Sequence, residues 1–543
     1  MAFGCASGGP VPAAPEAGEP AEVELRIVAI NDFHGHIATS SDSFGGVGRA
    51  DYLAANIAAA RAGAQNSAFV SAGDLIGASP LISALFHDEP TIEAMNLIGL
   101  DFNGVGNHEF DEGPAELLRM QQGGSHPVDG DLDGDSFDGA DFQFLAANVI
   151  DDNTGNTVFP PYAIRDYQGI RVAFIGMTLE ATPQIVARSG VAGLTFQDEA
   201  QTVNALVPQL RQDGIEAIVV LLHEGGFSDG GQNDCGSGLS GPVAEVAARL
   251  DGAVDLVIAG HTNDEFICEI SGKWVTMADN RGRLFTVIDA TLHRDTGDLT
   301  VRAINNQPNS QAGVTPVPAL TALIDRYDVL SAPRANAVVG TVTADITRQQ
   351  NEAGESALGD VIADAHLAAT SGIDDGGAVV AFMNQGGIRE DIRYAASGDE
   401  AGGVLTFGEA FGVNPFGNSL VTMSLTGAQI DDLLEVQFAD LEAGTRRVLQ
   451  VSAGFSYTWD ASRPVGSRVD AASITIDGVA INLDRTYRVT VNSFLADGGG
   501  GFDVLTEGAQ RTGGEIDLDA LVAYFAGVDA VSPGQQDRIT RVN

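Results

Sequence analysis

Short apolar runs that end in polar residues recur between residue 22 and about residue 305. Runs that alternate, or that are apolar throughout over four to eight residues, predict β-strands. The runs are Val23–Ile30, Ser67–Gly73, Phe102–Gly106, Ile170–Met177, Ala217–Leu222 and Asp255–Ala259. Segments 48–62 and 91–98 show helical spacing of apolar residues. Because strands alternate with helices, the pattern predicts a layered α/β domain over residues 22–305.

A proline-containing stretch separates this region from the rest of the chain. Residues 306–335 hold prolines around a short helical pattern at 319–327, which predicts a linker or hinge. From residue 336 to residue 543, a helix at 356–369, a strand at 378–383 and later short strands follow without βαβ regularity, so we predict an α+β domain. Residues 1–21 are rich in Gly, Pro, Ala and Glu and predict a flexible leader.

Composition narrows the classes of partner. The chain has 543 residues, 44% apolar and 19% charged, as in an ordinary globular protein. Its formal net charge of −46 would repel a nucleic-acid duplex, so we expect no such partner. No apolar run of about 18 residues or more occurs, so we expect no transmembrane span.

The cysteines give information on the cellular compartment of the protein. Cys5 follows Ala2-Phe3-Gly4 and precedes a low-complexity spacer, as at the end of a lipoprotein processing site, so Cys5 is a candidate lipid anchor. Cys235 and Cys268 could form a disulfide, which would indicate an oxidising compartment, or could be two buried thiols. We therefore expect a periplasmic or extracellular protein, with anchoring to a membrane through lipid as an open option.

Polar side chains with metal-binding chemistry follow the predicted strands. The carboxyl ends of strands in open α/β sheets lie at one edge, so we expect these side chains to converge. Carboxylate, imidazole and amide groups together suit Zn, Mn or Co better than Ca. The residues are Asp32, His34, Asp74, Asn107, His108, His223, His261 and Asn263.

An acidic segment at Asp129–Asp135 matches the beginning of an EF-hand calcium loop. The closing glutamate of such a loop is absent. We therefore predict an acidic surface loop here.

Three glycine-containing loops mark the second domain. Asn384-Gln385-Gly386-Gly387-Ile388-Arg389 follows a predicted strand, and Arg389 could pair with an anion. Phe416 and Phe494 lie in two further loops of this kind, where their rings could enclose a planar base. Taken separately, each phenylalanine is more typical of a core residue.

The ordered motifs of the first domain resemble those of the calcineurin-like metallophosphoesterases. Together with the loops of the second domain, they resemble the secreted 5′-nucleotidase family, which includes bacterial UDP-sugar hydrolases. The resemblance implies an N-terminal four-layer metallophosphoesterase β-sandwich flanked by helices. It also implies a C-terminal α+β domain that binds the nucleotide substrate.

The resemblance further implies two divalent metal ions. Asp32 and His34 would hold one ion, Asp74 would bridge the two, and Asn107, His223 and His261 would hold the other. Asn263 stands where many relatives carry a second histidine. His108 would contact the phosphoryl group or protonate the leaving oxygen, and Asp111 would orient it. The implied substrate-binding residues are Arg348, Asn384, Gly386, Gly387, Arg389, Phe416, Asn418 and Phe494.

The implied activity is release of phosphate from nucleoside 5′-monophosphates, with cleavage of nucleotide sugars as a further option. The sequence departs from the family at Gly500, where an aspartate usually holds the ribose hydroxyls; Asp497 or Asp503 could replace it. This departure keeps open a 2′,3′-cyclic-nucleotide phosphodiesterase/3′-nucleotidase of broad specificity. A nucleotide-binding surface protein without catalysis and a thiosulfate-ester hydrolase of the same fold are further alternatives.

Overall fold

The computed structural model describes residues 20–186, 190–398, 400–439, 441 and 447–543. The predicted leader lies outside the described residues except for its last two positions, and so does Cys5.

The N-terminal region contains both strands and helices of the predicted kinds. Its strands are β1 (Glu22–Ile30), β2 (Ser40–Ser41), β3 (Val47–Gly48), β4 (Ser67–Ser71), β5 (Phe102–Gly104), β6 (Gln143–Leu145), β7 (Val149–Asp151), β8 (Tyr162–Tyr167), β9 (Ile170–Met177), β10 (Leu194–Phe196), β11 (Ala217–Leu222), β12 (Phe227–Ser228), β13 (Leu239–Ser240), β14 (Leu256–Ala259), β15 (Glu265–Ile270), β16 (Lys273–Ala278), β17 (Leu284–His293) and β18 (Leu299–Pro308). Its helices are α1 (Ala50–Arg61), α2 (Leu81–Ala84), α3 (Glu89–Ile98), α4 (Pro114–Gln122), α5 (Thr182–Ile185), α6 (Glu199–Gln212), α7 (Pro242–Arg249) and α8 (Pro318–Ala335).

Two six-stranded sheets pack face to face in this region. Their strand orders are β18-β17-β1-β4-β5-β6 and β15-β16-β14-β11-β9-β8. Helices α1 and α3 cover the outer face of the first sheet, and α6 and α7 cover the outer face of the second. The result is the predicted four-layer sandwich.

The pattern of β1 explains this layering. Leu25 and Ile27 point into the core between the sheets, where they join Phe174 of β9. Val28 and Ile30 point to the opposite face and pack with the helices. Strand β11 is buried at every position, as expected for a parallel strand that is covered on both faces.

The predicted linker is more ordered than its prolines suggest. Strand β18 extends to Pro308, and α8 runs over 318–335, well beyond the predicted 319–327. Leu320 and Ile324 of α8 are buried in the core of the N-terminal region. The assigned domain boundaries themselves stay a prediction.

The C-terminal region combines a mixed sheet with helices. Its strands are β19 (Val338–Thr341), β20 (Val380–Met383), β21 (Val404–Thr406), β22 (Ser419–Thr426), β23 (Gln450–Val451), β24 (Phe455–Trp459), β25 (Thr475–Ile476), β26 (Val479–Ala480), β27 (Thr486–Asn492), β28 (Ala509–Ile516) and β29 (Ile539–Arg541). Its helices are α9 (Ala357–Thr370), α10 (Phe407–Val413), α11 (Gly427–Val436), α12 (Ser493–Ala496) and α13 (Asp517–Ala526). The five-stranded sheet has the order β23-β20-β27-β22-β28, and a second sheet has the order β26-β25-β24-β29.

Two other predictions from the sequence can be followed in the structure. Cys235 and Cys268 form a disulfide, with their Cα atoms 5.0 Å apart. The segment 129–135 lies largely exposed, but the Asp133 side chain is buried, where it accepts hydrogen bonds from Arg326 (2.6 Å) and Tyr327 (2.9 Å) of α8.

Within the described part of the chain, no helix is both long enough and apolar enough to cross a membrane.

Candidate metal centre and substrate cavity

The ends of the parallel strands bring one group of predicted ligands together. His223 follows β11, and its Nε2 lies 3.1 Å from Asp74 Oδ2 and 3.1 Å from Asn107 Oδ1. His261 Nδ1 lies 3.0 Å from the same Asn107 oxygen. These four side chains therefore surround one point at the edge of the sheets.

Asp32 and His34 lie on the other side of Asp74. His34 Nε2 is 3.7 Å from Asp74 Oδ2 and 4.0 Å from Asp32 Oδ1. Donor atoms of these three residues lie within 4.8 Å of one another, as do those of Asp74, His223 and His261. Asp74 is thus common to both groups, in the position of a shared ligand.

Backbone carbonyls orient two of the imidazoles. Gly77 O lies 2.9 Å from His34 Nδ1, and Ala72 O lies 2.8 Å from His223 Nδ1. A ring nitrogen that donates to a carbonyl leaves the other nitrogen as the metal-facing lone pair. Both rings therefore present Nε2 to the centre.

The loops that carry the ligands adopt unusual backbone conformations. Asp32, His34, Asp74 and His261 have φ values of 49°, 47°, 48° and 77°, in the left-handed region. Such conformations cost about 1–3 kcal/mol each for non-glycine residues and are typical of functional sites. A Cβ at Gly106 would lie 2.3 Å from Asp74 Oδ1, so only glycine permits this approach.

Glu109 holds two of these loops, a role that sequence analysis missed. Its buried carboxylate accepts hydrogen bonds from the backbone N–H groups of Asp74 (3.0 Å), Leu75 (3.0 Å) and Gly106 (2.8 Å). It also accepts one from the Asn103 side chain at 3.0 Å. Burial, with help from the Asp74 charge, raises the pKa of Glu109 to about 7. The sequence signal was limited to its position beside Asn107 and His108.

The electrostatics of the cluster fit divalent cations. Burial lowers the pKa of His34 and of His261 to about 3, so both rings are neutral lone-pair donors. Burial opposes protonation of His223, but Asp74 outweighs it and raises that pKa to about 10. Asp32 and Asp74 are buried, and within the described residues neither pairs with Arg or Lys. Buried carboxylates need a compensating charge, which metal ions would supply.

Asn263 is less closely tied to the cluster than the other predicted ligands. Its Nδ2 donates to the His261 carbonyl oxygen at 3.1 Å, a local contact, and its φ is 57°. In the described part of the chain, no hydrogen bond joins it to the carboxylates or to Asn107. Its predicted role as a ligand stays a prediction.

His108 and Asp111 form a pair beside the cluster. Their Nδ1 and Oδ2 atoms are 2.8 Å apart, and the His108 backbone N–H donates to Asp74 Oδ1 at 2.8 Å. Burial opposes protonation of His108, but Asp111 and then Asp74 prevail and raise its pKa. The ring lies edge-on to His34, with 5.1 Å between centroids. Because Asp111 binds Nδ1 of His108, Nε2 of this ring remains available to a ligand in the cavity.

A cavity of about 510 Å³ joins this pair to the second domain. Both domains contribute to its walls, including every predicted substrate-binding residue. Its lining includes Asn107, His108, Asp111, His261, Arg348, Asn384, Gly386, Gly387, Arg389, Phe416, Asn418 and Phe494. It also includes residues that sequence analysis did not select: Ile185, Val186, Gln385, Ile388, Arg447, Leu449 and Phe502. Gln385 and Ile388 lie within the Asn384–Arg389 loop, whereas chain folding brings the others to the cavity.

Contacts cross the domain boundary at this cavity. The Phe416 and His108 rings are nearly parallel, with centroids 5.7 Å apart, and Arg389 Cζ lies 5.8 Å from the Phe416 centroid. Arg281 Nη1 pairs with Glu390 Oε1 at 2.7 Å. The two domains are therefore apposed, with the second domain facing the cluster.

Local contacts hold the recognition loops. Asn384 Oδ1 accepts from Asn492 Nδ2 at 2.9 Å, and Asn418 Oδ1 accepts from Ser493 Oγ at 3.1 Å. A Cβ at Gly499 would lie 2.4 Å from the Phe494 ring, so glycine allows the ring its place. The amide oxygens of Asn384 and Asn418 are thus positioned by Asn492 and Ser493, at the beginning of α12.

Neither of the two aspartates that could replace the family's ribose-binding carboxylate lies in the cavity wall beside Gly500. Gly500 lines the cavity, whereas neither Asp497 nor Asp503 does among the described residues. Asp497 instead lies 3.5 Å from Arg511. Arg447 Nη1 donates to the Gly500 carbonyl at 2.8 Å and also lines the cavity.

The sequence matches two family profiles that correspond to the two halves of the cavity. Residues 25–264 match "Calcineurin-like phosphoesterase", and residues 338–507 match "5'-nucleotidase, C-terminal domain".

Similar proteins span both regions. The chain is 33% identical over 518 residues to "Endonuclease YhcR" of Bacillus subtilis, covering 93% of this chain but only 40% of that protein. It is 33% identical over 540 residues to "Cell wall protein Lmo0130" of Listeria monocytogenes, covering 93% of this chain and 67% of that protein.

A solved structure has the same two-domain architecture. The 5′-nucleotidase precursor of Thermus thermophilus superposes with a TM-score of 0.77 at 27% identity, covering 96% of this chain and 99% of that one. Its family uses a dinuclear metal centre, which agrees with the paired ligand groups around Asp74. The chain therefore belongs to the calcineurin-like phosphoesterases that carry a 5′-nucleotidase C-terminal domain, a family of metal-dependent hydrolases.

Proposed function

We propose that this protein releases phosphate from nucleoside 5′-monophosphates in a reaction that depends on two divalent ions. The observation that carries the proposal is the single cavity in which His108 and the ligand cluster face Phe416 and Phe494 of the second domain. A nucleotide fits a cavity with these two kinds of wall. Its phosphate needs cationic and metal contacts, and its base needs apolar faces.

The cluster supplies ligands for both ions. Asp32 and His34 would hold one ion, Asp74 would be shared, and Asn107, His223 and His261 would hold the other. Zn, Mn and Co suit this mixture of nitrogen and oxygen donors. When bound, two such ions polarise the phosphoryl oxygens and lower the pKa of a water molecule for in-line attack.

The side chains around the ions would bind and orient the substrate. His108 Nε2 contacts the phosphoryl group or protonates the leaving oxygen, while Asp111 fixes the ring through Nδ1. Arg389, with Arg348 further out, attracts the anionic group. The base lies between Phe416 and Phe494, and Asn418 hydrogen-bonds to its edge.

Phosphate release from several substrates tests this proposal. AMP, UDP-glucose, 2′,3′-cyclic AMP and bis-p-nitrophenyl phosphate would each be assayed with Mn²⁺ and with EDTA. We expect rapid, EDTA-sensitive release from AMP. Release that EDTA does not reduce would contradict the metal-dependent reaction. Activity confined to the two diesters would contradict the 5′-monophosphate substrate and leave the metal chemistry standing.

One observation favours a second candidate, a 2′,3′-cyclic-nucleotide phosphodiesterase/3′-nucleotidase. The cavity wall has Gly500 and the Arg447 guanidinium where a carboxylate would bind the ribose hydroxyls. A guanidinium favours a phosphoryl group on the sugar over a free hydroxyl pair. Higher kcat/KM for the cyclic nucleotide than for AMP would establish this alternative.

The second domain would deliver the nucleotide to the metal centre by moving as a unit. The candidate hinge is the predicted linker, and since α8 packs on the N-terminal core, its C-terminal end near residue 336 is the favoured point of bending. Limited proteolysis with and without AMP would detect a change in cutting there. An unchanged cutting pattern would count against a hinge.

We also propose that the protein acts outside the cytoplasm. The Cys235–Cys268 disulfide supports an oxidising compartment, and one relative is described as a cell wall protein. Attachment through a lipid at Cys5 is part of this proposal. Metabolic labelling with a radioactive fatty acid would test it, and a Cys5→Ala variant labelled as strongly as the parent would exclude Cys5.

A further inference from the structure

A second group of metal-binding side chains lies at the surface of the N-terminal domain, away from the substrate cavity. One donor atom from each of four residues lies within 4.8 Å of the others. His87 precedes α3, Glu112 follows the His108–Phe110 turn, Glu116 lies on α4 and His126 follows α4. Among the described residues that line the cavity, none of these four is found.

The two imidazoles of this group stack on each other. Their centroids are 3.7 Å apart, with 15° between the ring planes. His87 Nδ1 lies 2.8 Å from Glu112 Oε2, and His126 Nε2 lies 3.9 Å from Glu116 Oε2. Each ring thus directs one nitrogen towards a carboxylate of the group.

The other nitrogen of each ring faces a fifth residue. Asp129 Oδ2 is 3.0 Å from His87 Nε2 and 3.5 Å from His126 Nδ1. A carboxylate that accepts the outer N–H of an imidazole fixes the ring for metal binding through the inner nitrogen. The Asp129 backbone N–H donates to His126 Nδ1 at 3.1 Å, so that nitrogen accepts and the ring carries its proton on Nε2. Metal binding through Nε2 therefore requires the other tautomer, with the Nδ1–H directed towards the Asp129 carboxylate.

We propose that His87, Glu112, Glu116 and His126 bind a zinc ion distinct from the ions of the active site. Two imidazole nitrogens and two carboxylate oxygens form a donor set that zinc accepts in tetrahedral sites. Two imidazolium rings stacked face to face would repel each other. Because the lone pair of an imidazole lies in its ring plane, the two rings would tilt out of this stack for their inner nitrogens to bind one ion.

Three of the four side chains are buried enough to enclose an ion. The side chains of His87, His126 and Glu116 are 16%, 12% and 11% exposed, while Glu112 is 47% exposed. The site is therefore enclosed on three sides and open to solvent at Glu112. Arg119 donates to both oxygens of Glu116, to Oε1 at 2.6 Å and to Oε2 at 3.0 Å, and Oε2 also faces His126 Nε2 at 3.9 Å, so the ion would share this oxygen with Arg119.

The ion would join segments that support the active site. Glu112 is the neighbour of Asp111, which holds His108. His87 is the neighbour of Asp88, whose carboxylate accepts the Gly77 N–H at 3.0 Å. Because the ion contacts no residue of the cavity, we infer a structural role that raises thermal stability.

Zinc stoichiometry tests the proposal. The full-length chain, without an added histidine tag, would be dialysed against Zn²⁺ with excess Mg²⁺ and analysed by mass spectrometry of the metal. We expect His126→Ala and Glu112→Gln each to bind one zinc equivalent fewer than the parent, and the partly exposed control His293→Ala to bind the same number. The difference does not depend on how many ions the active-site cluster holds, so it is independent of the proposed function.

A second measurement distinguishes loss of zinc binding from misfolding of the His126→Ala variant. Glu112→Gln replaces an exposed carboxylate by an amide of the same shape and should fold normally. We expect zinc to raise the Tm of the parent and of His293→Ala by several degrees more than that of Glu112→Gln. Equal zinc content in the parent, His126→Ala and Glu112→Gln would overturn the proposal, and the group would then be a network of ion pairs around His87.

Discussion

The two walls of the substrate cavity are built differently. On the N-terminal wall the six candidate ligands that cluster at Asp74 lie within a few residues of strand ends, five of the six are buried, and four of them have left-handed backbone conformations. On the C-terminal wall, Gly386 and Arg348 are exposed, and the recognition residues lie on loops tied by single side-chain hydrogen bonds. The difference suggests that the chemistry is fixed by the scaffold, whereas substrate choice rests on parts that change readily.

Physical reasons underlie the contrast. A centre that binds doubly charged ions works best when its donors are pre-positioned, because reorganisation during the reaction would cost free energy. A stacked base needs flat apolar surface and tolerates small shifts, since dispersion is not strongly directional. We therefore expect substitutions on the N-terminal wall to act on kcat and those on the C-terminal wall to act on KM.

The largest effect is expected from Asp74→Asn. Loss of the shared carboxylate would remove several kcal/mol of metal-dependent stabilisation, so kcat for AMP should fall by roughly 10³-fold or more. Bound metal, measured on the same samples, should fall with it. Asp42→Asn, in an exposed loop, is the matched control. Retained metal and activity in Asp74→Asn would break the assignment of the centre.

A smaller loss of turnover is expected from His108→Ala. Removing a proton donor or phosphoryl contact should lower kcat for AMP by about 10²- to 10⁴-fold with little change in KM. If His108 protonates the leaving oxygen, p-nitrophenyl phosphate should lose less, because its leaving group needs little protonation. A rise in KM at constant kcat would place His108 with the recognition residues instead.

On the C-terminal wall, Phe416→Ala should weaken binding without reducing turnover. Base–aromatic stacking contributes about 1–3 kcal/mol, which corresponds to about a 5- to 150-fold rise in KM for AMP. Ribose 5-phosphate lacks the base and serves as the control substrate, and Phe494→Ala should behave in the same way. Equal changes for both substrates would show that the ring supports His108, on which it stacks, and does not bind the base.

The smallest effect is expected where the two walls meet. The Arg281–Glu390 pair is partly exposed, and such pairs are worth about 0–1 kcal/mol, so Glu390→Gln should change KM for AMP by less than about fivefold. Arg281→Gln and the double variant complete a cycle that isolates the pair. A coupling well above 1 kcal/mol would mean that the ion pair controls domain closure, and the contrast between the walls would need revision.

The sequence by itself determined most of the N-terminal layering. Strand β11 is a continuous apolar run, and β9 is one apart from Arg171, as is typical of parallel strands that are covered on both faces; both were predicted with their observed bounds. The candidate ligands could be selected from the sequence because each lies within a few residues of a strand end, where the sheet topology brings them together. The disulfide was one of two outcomes that the sequence allowed.

Only the tertiary structure decided how the remaining parts meet. Glu109 is one of many acidic residues in the sequence, and its bonds to the backbone of two loops exist only after the strands align. Arg447 reaches Gly500 across the second domain, and the stacking of Phe416 on His108 depends on how the domains are apposed. Local patterns specify strands and turns through short-range sterics and hydrophobic periodicity. Contacts between residues hundreds of positions apart depend on packing, and no local pattern carries that information.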